Sequence, residues 1–345
     1  MRVLLLTGMY PHPQFPSGGI AVARQRRSLQ ELGVHVDLLH CRPQGKWQLL
    51  TTRKALRRAV ISGGYDLVHA HFGLRSMLLA LCQPLPLVIT YHGTDVNGIP
   101  CQNWRSLRRY FLINGAALSN RQLARRADAV IVMTAEMKQR LPRAVQAKTW
   151  VEPMGVDAML FRQHPRRHAR AQLAWGQGPV VVFCTLAGKS IKRAELAEAS
   201  VREAQRSCPD LTLFRLQGVE PEKVPLVLSA ADCLLVTSDR EGSPNIVRES
   251  LACNLPIVSV PVGDVPSLLA LDPCAGLIVP RDPRLLGRAL VEIVNRPRPD
   301  LSGIMNSHSL EATGRRIIAI YERVLQEHGR SNAYATTELA NVTPP

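Results

Sequence analysis

The sequence predicts an α/β protein made of two Rossmann-like, doubly wound domains. Short runs of β-branched and aliphatic residues alternate with longer amphipathic segments along the chain, which is typical of parallel sheets covered by helices on both faces. A chain of 345 residues is long enough for two domains of ordinary size. Because 46% of the residues are hydrophobic, each domain can build a packed core.

The predicted elements fall into two successive sets. Strands of the first half are predicted at Val3–Leu6, Val36–His40, Leu67–His69, Leu87–Tyr91, Ala129–Met133 and Trp150–Glu152, with a helix over Ala21–Leu32. Strands of the second half are predicted at Val180–Cys184, Thr212–Leu216, Cys233–Thr237, Pro256–Val260 and Gly276–Val279. We place the domains at residues 1–158 and 159–309, with a final helix over Leu310–Gly329. Residues 330–345 are polar without periodicity and are expected to be disordered.

The positive charge is concentrated in the first half of the chain. The net charge is +16, and residues 1–158 hold 21 Lys and Arg against 8 Asp and Glu, or +13. This excess is typical either of solvated helix faces or of a surface for an anionic membrane or a pyrophosphate-linked acceptor. Nucleic acid is disfavoured, because the basic residues lack interleaved aromatics and no nucleic-acid-binding motif is present.

Cysteine usage and hydropathy bear on the location of the protein. The eight cysteines are scattered without a C-x-x-C pair, which favours a reducing compartment. No run approaches the roughly 20 apolar residues of a membrane span. We therefore expect a cytoplasmic protein, peripheral on the cytosolic face of the inner membrane.

The most informative segment is SDREGSPNIVRESLACNLPIVSVPVGD, in which Glu241 and Glu249 are eight positions apart. The apolar strand Cys233–Thr237 leads into the loop that carries Glu241, the turn Gly242-Ser243-Pro244-Asn245 follows directly, and an amphipathic helix begins near Asn245. Both carboxylates can therefore flank one polar ligand at a helix N-terminus, where backbone amides and the helix dipole favour phosphate. Carboxylates accept hydrogen bonds from hydroxyl groups, so the pattern suits a sugar nucleotide.

This segment resembles the E-x7-E signature of retaining, family-4 type glycosyltransferases of the GT-B fold, the glycosyl transferases group 1. Other segments agree in the order of the family: PSGGIAVARQ, YDLVHAHFG, VITYHGTDVNG, ADAVIVMT, EPMGVD and AADCLLVTSDREGSPN. The resemblance extends to about Gly329. It implies two domains that face each other across a cleft, with the helix at 310–329 packed back on the first domain.

The resemblance also implies roles for individual residues. Glu241 is implied to bind donor-sugar hydroxyls and Glu249 the ribose, although each also fits an ordinary helix-start or solvent-facing carboxylate. Lys192 is implied to neutralise the departing diphosphate. The other implied donor-binding residues are Gly18, Gly19, Lys189, Gly242, Ser243, Pro244 and Asn245. Lys189 is a substitute for an arginine that the family often carries there.

His92, in YHGTD, is implied to contact the sugar or the reacting centre, and a structural histidine is the other interpretation. His69 and His71 form an H-x-H pair, but no third ligand has suitable spacing, so no metal is expected. No cofactor is expected either, since the nucleotide-diphosphate sugar is a co-substrate.

The implied reaction is the transfer of a hexose-type sugar to a glycan or lipid-linked acceptor in cell-surface polysaccharide synthesis, with retained configuration. Three alternatives remain: a Rossmann dehydrogenase, disfavoured because no G-x-G-x-x-G follows a strand; another GT-B enzyme such as an epimerase; and a non-catalytic basic binding module. The residues do not identify the donor nucleotide, the sugar or the acceptor.

Overall fold

The computed structural model describes residues 1–13, 18–41, 48–71, 73–99, 107–185, 190–301 and 303–340. The chain forms two compact units, each built on one parallel sheet. The first unit comprises Met1–Pro153 and the C-terminal segment from Thr313, and the second comprises Met154–Ala312. The second unit thus begins at Met154, whereas the sequence suggested a boundary after residue 158. The predicted fold class, two Rossmann-like α/β domains, is confirmed.

A six-stranded parallel sheet forms the centre of the first unit. Its strands are β1 (Arg2–Thr7), β2 (His35–His40), β3 (Leu67–His71), β4 (Leu87–Tyr91), β5 (Ala129–Val132) and β6 (Thr149–Val151). Its helices are α1 (Ile20–Glu31), α2 (Gln48–Ser62), α3 (Gly73–Ala80), α4 (Thr94–Asn97), α5 (Leu107–Leu123), α6 (Ala135–Gln139) and α7 (Arg143–Gln146). The strand order is β2-β1-β3-β4-β5-β6, so the topological switch point lies between β1 and β3.

The second unit contains a five-stranded parallel sheet. Its strands are β7 (Val180–Cys184), β8 (Thr212–Leu216), β9 (Cys233–Val236), β10 (Ile257–Ser259) and β11 (Gly276–Ile278). Its helices are α8 (Arg166–Gln172), α9 (Ala194–Gln205), α10 (Val224–Ala230), α11 (Asn245–Ala252), α12 (Val265–Leu269) and α13 (Pro283–Val294). The order β11-β10-β9-β7-β8 places the switch point between β7 and β9. Ligands of such sheets bind beyond the carboxyl ends of the strands at this point.

The central strands of both sheets are buried along their whole length. Every residue of β3, β4, β5, β9 and β10 is buried, as expected for parallel strands covered on both faces. The strand residues therefore build the core, and the polar groups available for chemistry come mainly from the loops at the strand ends.

The last helix, α14 (Leu310–Ala340), packs on the first unit. Tyr321 is fully buried there, and the Arg316 guanidinium forms a 2.7 Å ion pair with Glu152 beyond β6. The sequence predicted that this helix ends at Gly329 and that residues 330–345 are disordered. That prediction is wrong for residues 330–340, which continue the helix; residues 341–345 lie outside the described part of the chain.

Candidate active site

The loops after β7 and β9 are bonded to each other at the switch point of the second unit. The buried Thr237 hydroxyl, directly after β9, donates to the carbonyl oxygens of Lys192 at 2.8 Å and Arg193 at 3.2 Å. The backbone amide of Asp239 donates to the carbonyl of Ile191 at 2.9 Å. These bonds hold Lys192 and Glu241, which are 49 residues apart in sequence, in one small region.

Lys192 and Glu241 form a half-buried ion pair. The Lys192 ammonium donates to Oε1 of Glu241 at 2.6 Å, and only 13% and 16% of the two side chains are exposed. The Ser238 hydroxyl donates to the same carboxylate oxygen at 2.6 Å. Charge-assisted bonds of this length orient a carboxylate strongly, so the position of Glu241 is fixed by two partners.

Glu249 lies near this pair. It is the fifth residue of α11 and is half-buried. The thiol of Cys184, at the end of β7, has its pKa raised by burial; nearby Lys192 lowers it, while Glu249 and Glu241 raise it further. All three charged groups therefore act electrostatically on one thiol at the carboxyl end of β7.

The turn between the two glutamates is held by a second charged network. The Arg248 guanidinium, 2% exposed, donates to the Ser243 hydroxyl and to the Asp264 carboxylate. The amide of Asp264 donates to the carbonyl of Gly242 at 3.2 Å. Pro244 precedes α11 in an extended conformation, and Asn245 is the first residue of the helix. The Gly242–Asn245 turn is thus tied to both α11 and the loop before α12.

The predicted glycine loop of the first unit has a backbone explanation. Gly19 is in the left-handed region, with φ of 71°, and its carbonyl accepts the amide of Val22 at 3.0 Å. A Cβ at this position would lie 2.3 Å from the carbonyl oxygen of Met9. Only glycine fits such a position without strain. Gly18, which is buried, and Gly19 therefore make the turn into α1, and their role toward a ligand stays a prediction.

Three histidines at the carboxyl ends of β3 and β4 form a cluster, which we call the histidine cluster: His69, His71 and His92. His71 Nδ1 and His92 Nε2 are 3.1 Å apart. The two nitrogens of His69 lie 2.6 Å from the Tyr321 hydroxyl and 2.7 Å from the Thr90 hydroxyl. A side chain of α14 is therefore bonded directly into the cluster.

Burial keeps the histidine cluster uncharged. It lowers the pKa of His92 to about 3 and is the main cause of a pKa of about 3 for His69. Burial, together with the neighbouring rings, also lowers the pKa of His71 well below its ordinary value. With both rings neutral, one nitrogen of the His71–His92 contact carries a proton and donates it to the other. His71 thereby orients the ring of His92.

The family of the chain follows from comparison with known proteins. The model for Glycosyltransferase Family 4 matches residues 3–159, and the model for Glycosyl transferases group 1 matches residues 172–296. Together they span both units, and the second includes Lys192, Glu241 and Glu249. The chain belongs to the family 4, group 1 glycosyltransferases.

Curated relatives of this glycosyltransferase match it along most of its length. It is 21% identical to TuaC of Bacillus subtilis, named for teichuronic acid biosynthesis, over 84% of this chain and 88% of the relative. It is 23% identical to WcaL of Escherichia coli, named for colanic acid biosynthesis, over 84% of this chain and 78% of the relative. The names of both relatives describe glycosyltransferases of polysaccharide synthesis.

Solved structures share the fold of this glycosyltransferase. The sucrose-phosphate synthase of Thermosynechococcus elongatus superposes with a TM-score of 0.67 at 18% identity, covering 98% of this chain and 99% of that one. Anabaena Alr3699/HepE, in complex with UDP and glucose, gives a TM-score of 0.64 at 16% identity, covering 95% and 99%. At these identities the likeness concerns the fold alone.

One predicted site residue lies outside the described part of the chain, and three residues that were not predicted contact the site. Lys189, the substitute for the first basic position, lies outside the described residues. Ser238, Arg248 and Asp264, which orient Glu241 and the following turn, were not predicted as site residues. Ser238 is only three residues before Glu241, whereas Arg248 on an amphipathic helix has the pattern of a solvent-exposed charge.

Within the described ranges, no group of three or more His, Cys, Asp or Glu residues is arranged to hold a metal ion. No helix in the part of the chain that the structure describes is long and apolar enough to cross a bilayer.

Proposed function

We propose that this glycosyltransferase transfers a hexose-type sugar from a nucleotide-diphosphate donor to a glycan or lipid-linked acceptor in cell-surface polysaccharide synthesis, with retained configuration. The observation that carries the proposal is the Lys192–Glu241 ion pair, with Glu249 close by, at the switch point between β7 and β9. A cation and two carboxylates at this point match the diphosphate and hydroxyl groups of a sugar nucleotide.

Each charged group has a proposed role. Glu241 accepts hydrogen bonds from donor-sugar hydroxyls, and Glu249 accepts those of the ribose. Lys192 stabilises the negative charge that develops on the departing diphosphate, a preorganised interaction that strengthens in the transition state. The first backbone amides of α11 point toward its N-terminus, where a helix favours phosphate.

Retention is proposed to arise without a covalent sugar–enzyme intermediate. Glycosidases that form one use two carboxylates about 5–5.5 Å apart as nucleophile and acid, and Glu241 already accepts bonds from Lys192 and Ser238. We propose instead that the leaving phosphate accepts the proton of the acceptor hydroxyl, which attacks the anomeric carbon from the same face. Lys192 supplies positive charge at the phosphate, so we propose that transfer requires neither a metal nor another cofactor.

His92 and the Gly18-Gly19 loop are proposed to contribute from the first unit. A neutral His92, oriented by His71, can donate or accept one hydrogen bond at a sugar hydroxyl. The first unit carries most of the net positive charge, which supports the proposal of a peripheral enzyme on the cytosolic face of the inner membrane with an acceptor on a lipid carrier.

The relatives indicate which substrates to test first. TuaC and WcaL are named for polysaccharide biosynthesis, and the HepE structures contain UDP, glucose or UDP-glucose. We therefore propose a UDP-hexose as the first donor to test, with GDP-hexoses as the comparison.

The test is a donor panel followed by product analysis. Melting temperatures with each UDP- and GDP-hexose identify the donor, and nucleotide release is then measured with and without membrane extract as the source of acceptor. We expect release that depends on acceptor, resists EDTA, and gives a product whose anomeric configuration by NMR is that of the donor. Donor conversion without acceptor would indicate an epimerase instead, and polyanion binding without affinity for any sugar nucleotide would indicate a binding module.

A further inference from the structure

Helix α5 presents large apolar side chains to solvent. The exposed fractions are 42% for Leu107, 67% for Phe111, 65% for Leu112 and 57% for Leu118. Residues about four and eleven positions apart lie on the same side of an α-helix. Leu107, Phe111 and Leu118 therefore form one outward stripe along α5, and Leu112 is exposed beside it, about 100° further round the helix from Phe111.

Polar side chains attach α5 to the segment before it. Asn114 donates to the carbonyl of Ile99 at 2.8 Å and accepts its amide at 3.3 Å. Asn120 donates to the carbonyl of Asp95 at 3.1 Å, and Arg121 to that of Val96 at 2.9 Å. An ordinary surface helix buries its apolar side and exposes its polar side. In α5 the buried residues are Ala117 and Asn120, while Leu107, Phe111 and Leu112 face solvent, so the core does not account for these large apolar side chains.

The charged residues within α5 and in the segments next to it are arginines. From Val96 to Ala127 the sequence contains six arginines and no Asp or Glu. Arg108 and Arg109 are exposed at the start of α5, and Arg125 and Arg126 are exposed just after its end. Like charges oppose the pairing of this surface with a second copy of itself. An anionic, apolar partner complements both the charge and the stripe.

We propose that the outward face of α5 docks on an anionic lipid bilayer. Phe111 and Leu112 insert at the boundary between headgroups and acyl chains, while Arg108 and Arg109 bind lipid phosphates. The inference deepens the proposed function, on which its biological meaning rests, because it places a transferase of lipid-linked glycans at the surface that carries its acceptor.

The experiment measures vesicle binding of the full chain without any sugar nucleotide. Co-sedimentation is compared between phosphatidylcholine vesicles and vesicles that also contain phosphatidylglycerol. We expect binding only to the anionic vesicles. The double variant Phe111→Ser/Leu112→Ser should weaken it about ten- to hundredfold. Arg108→Gln/Arg109→Gln should weaken it about tenfold, and added salt should mimic this loss.

Matched controls come from the second unit. Met159→Ser/Leu271→Ser removes two apolar side chains that are 84% and 54% exposed, and Arg284→Gln/Arg288→Gln removes two exposed arginines. Both should bind vesicles like the wild type. Unchanged binding by both α5 variants would overturn the inference. The inference would also be overturned if the α5 variants lost self-association, measured by analytical ultracentrifugation, but still bound vesicles.

Two further measurements separate this inference from the proposed function. Melting temperatures of the four variants show whether each is folded. If Phe111→Ser/Leu112→Ser does not fold, Arg108→Gln/Arg109→Gln still tests the inference. Donor affinity in solution is expected to stay at the wild-type value in the α5 variants. Failure to find any donor would refute the proposed function and leave vesicle binding as a separate result.

Discussion

Removing either partner of the Lys192–Glu241 pair is expected to lower both the free energy of unfolding and the turnover number. Loss of one partner costs about 3–5 kcal/mol in a fully buried pair and about 0–1 kcal/mol in an exposed one. The side chains are 13% and 16% exposed and 2.6 Å apart, so we expect about 2 kcal/mol for Lys192→Met or Glu241→Gln. Losing the proposed contact of Lys192 with the leaving group, or that of Glu241 with the donor sugar, should lower kcat about 100- to 1000-fold.

The double variant distinguishes a catalytic pair from a structural one. Lys192→Met/Glu241→Gln removes both charges, so the unpaired charge of each single variant disappears and about half of the lost stability should return. Turnover should not return, because each group acts on a different part of the donor. The measurements are urea unfolding and the initial rate of nucleotide release at saturating donor.

A neighbouring pair supplies the control. Arg193 and Asp239 come from the same two loops and are 3.0 Å apart, but they are 45% and 40% exposed. Arg193→Gln and Asp239→Asn should each change stability by less than about 1 kcal/mol and leave turnover near the wild-type value. Near-normal turnover in either single variant of the Lys192–Glu241 pair, or recovery of turnover in the double variant, would refute the reasoning.

Two more predictions concern the loops and the histidine cluster. Gly263→Ala should lower the melting temperature and weaken donor binding, because φ is +55° and the new Cβ would meet the Gly242 carbonyl oxygen at 2.3 Å. The control Gly303→Ala, where nothing lies within 4 Å of the new Cβ, should leave the melting temperature nearly unchanged. Equal melting temperatures for the two variants would contradict this prediction. Stability should fall as the pH drops from about 6.5, the unfolded-state pKa of histidine, toward about 3, the pKa of His92 in the folded protein. At pH 5.5 the neutral, buried His92 lowers the free energy of unfolding by roughly 1.4 kcal/mol. The free energy from urea unfolding should therefore depend less on pH in His92→Gln than in the exposed control His168→Gln. Identical pH dependence in the two variants would show that burial does not suppress protonation of His92.

The strands were predictable from sequence because buried parallel strands leave a strong local signal. All eleven described strands overlap predicted ones, and β4, β7 and β8 have the predicted bounds. Runs such as VVVFC can be buried on both faces only in a covered parallel sheet. The error at the C-terminus has a related cause: residues 330–340 lack an apolar period, yet a helix already packed through Tyr321 propagates at little cost.

The candidate site was predictable where its residues belong to one short segment, and it was not predictable where residues far apart in sequence contact each other. Glu241, Glu249 and Lys192 could be predicted as candidates because they belong to local motifs, and their roles stay predictions. Arg248 was missed because its burial depends on Asp264, 16 residues away, and a lone arginine on an amphipathic helix suggests solvent exposure. Helix α5 illustrates the same limit, since apolar and polar residues around its whole circumference do not show which side faces the core.

The Lys192–Glu241 pair also bears on how the site selects its ligand. At 13% and 16% exposure, neither charge is fully solvated, so each stabilises the other. A diphosphate alone can take Lys192 only by breaking the ion pair, which leaves the Glu241 carboxylate bonded to the Ser238 hydroxyl. A sugar nucleotide supplies both a diphosphate for the lysine and hydroxyl groups for the glutamate, and so replaces both halves of the pair at once. Under the proposed roles of Lys192 and Glu241, the ion pair is expected to favour the intact donor over the free nucleotide diphosphate, which is the product that leaves after transfer.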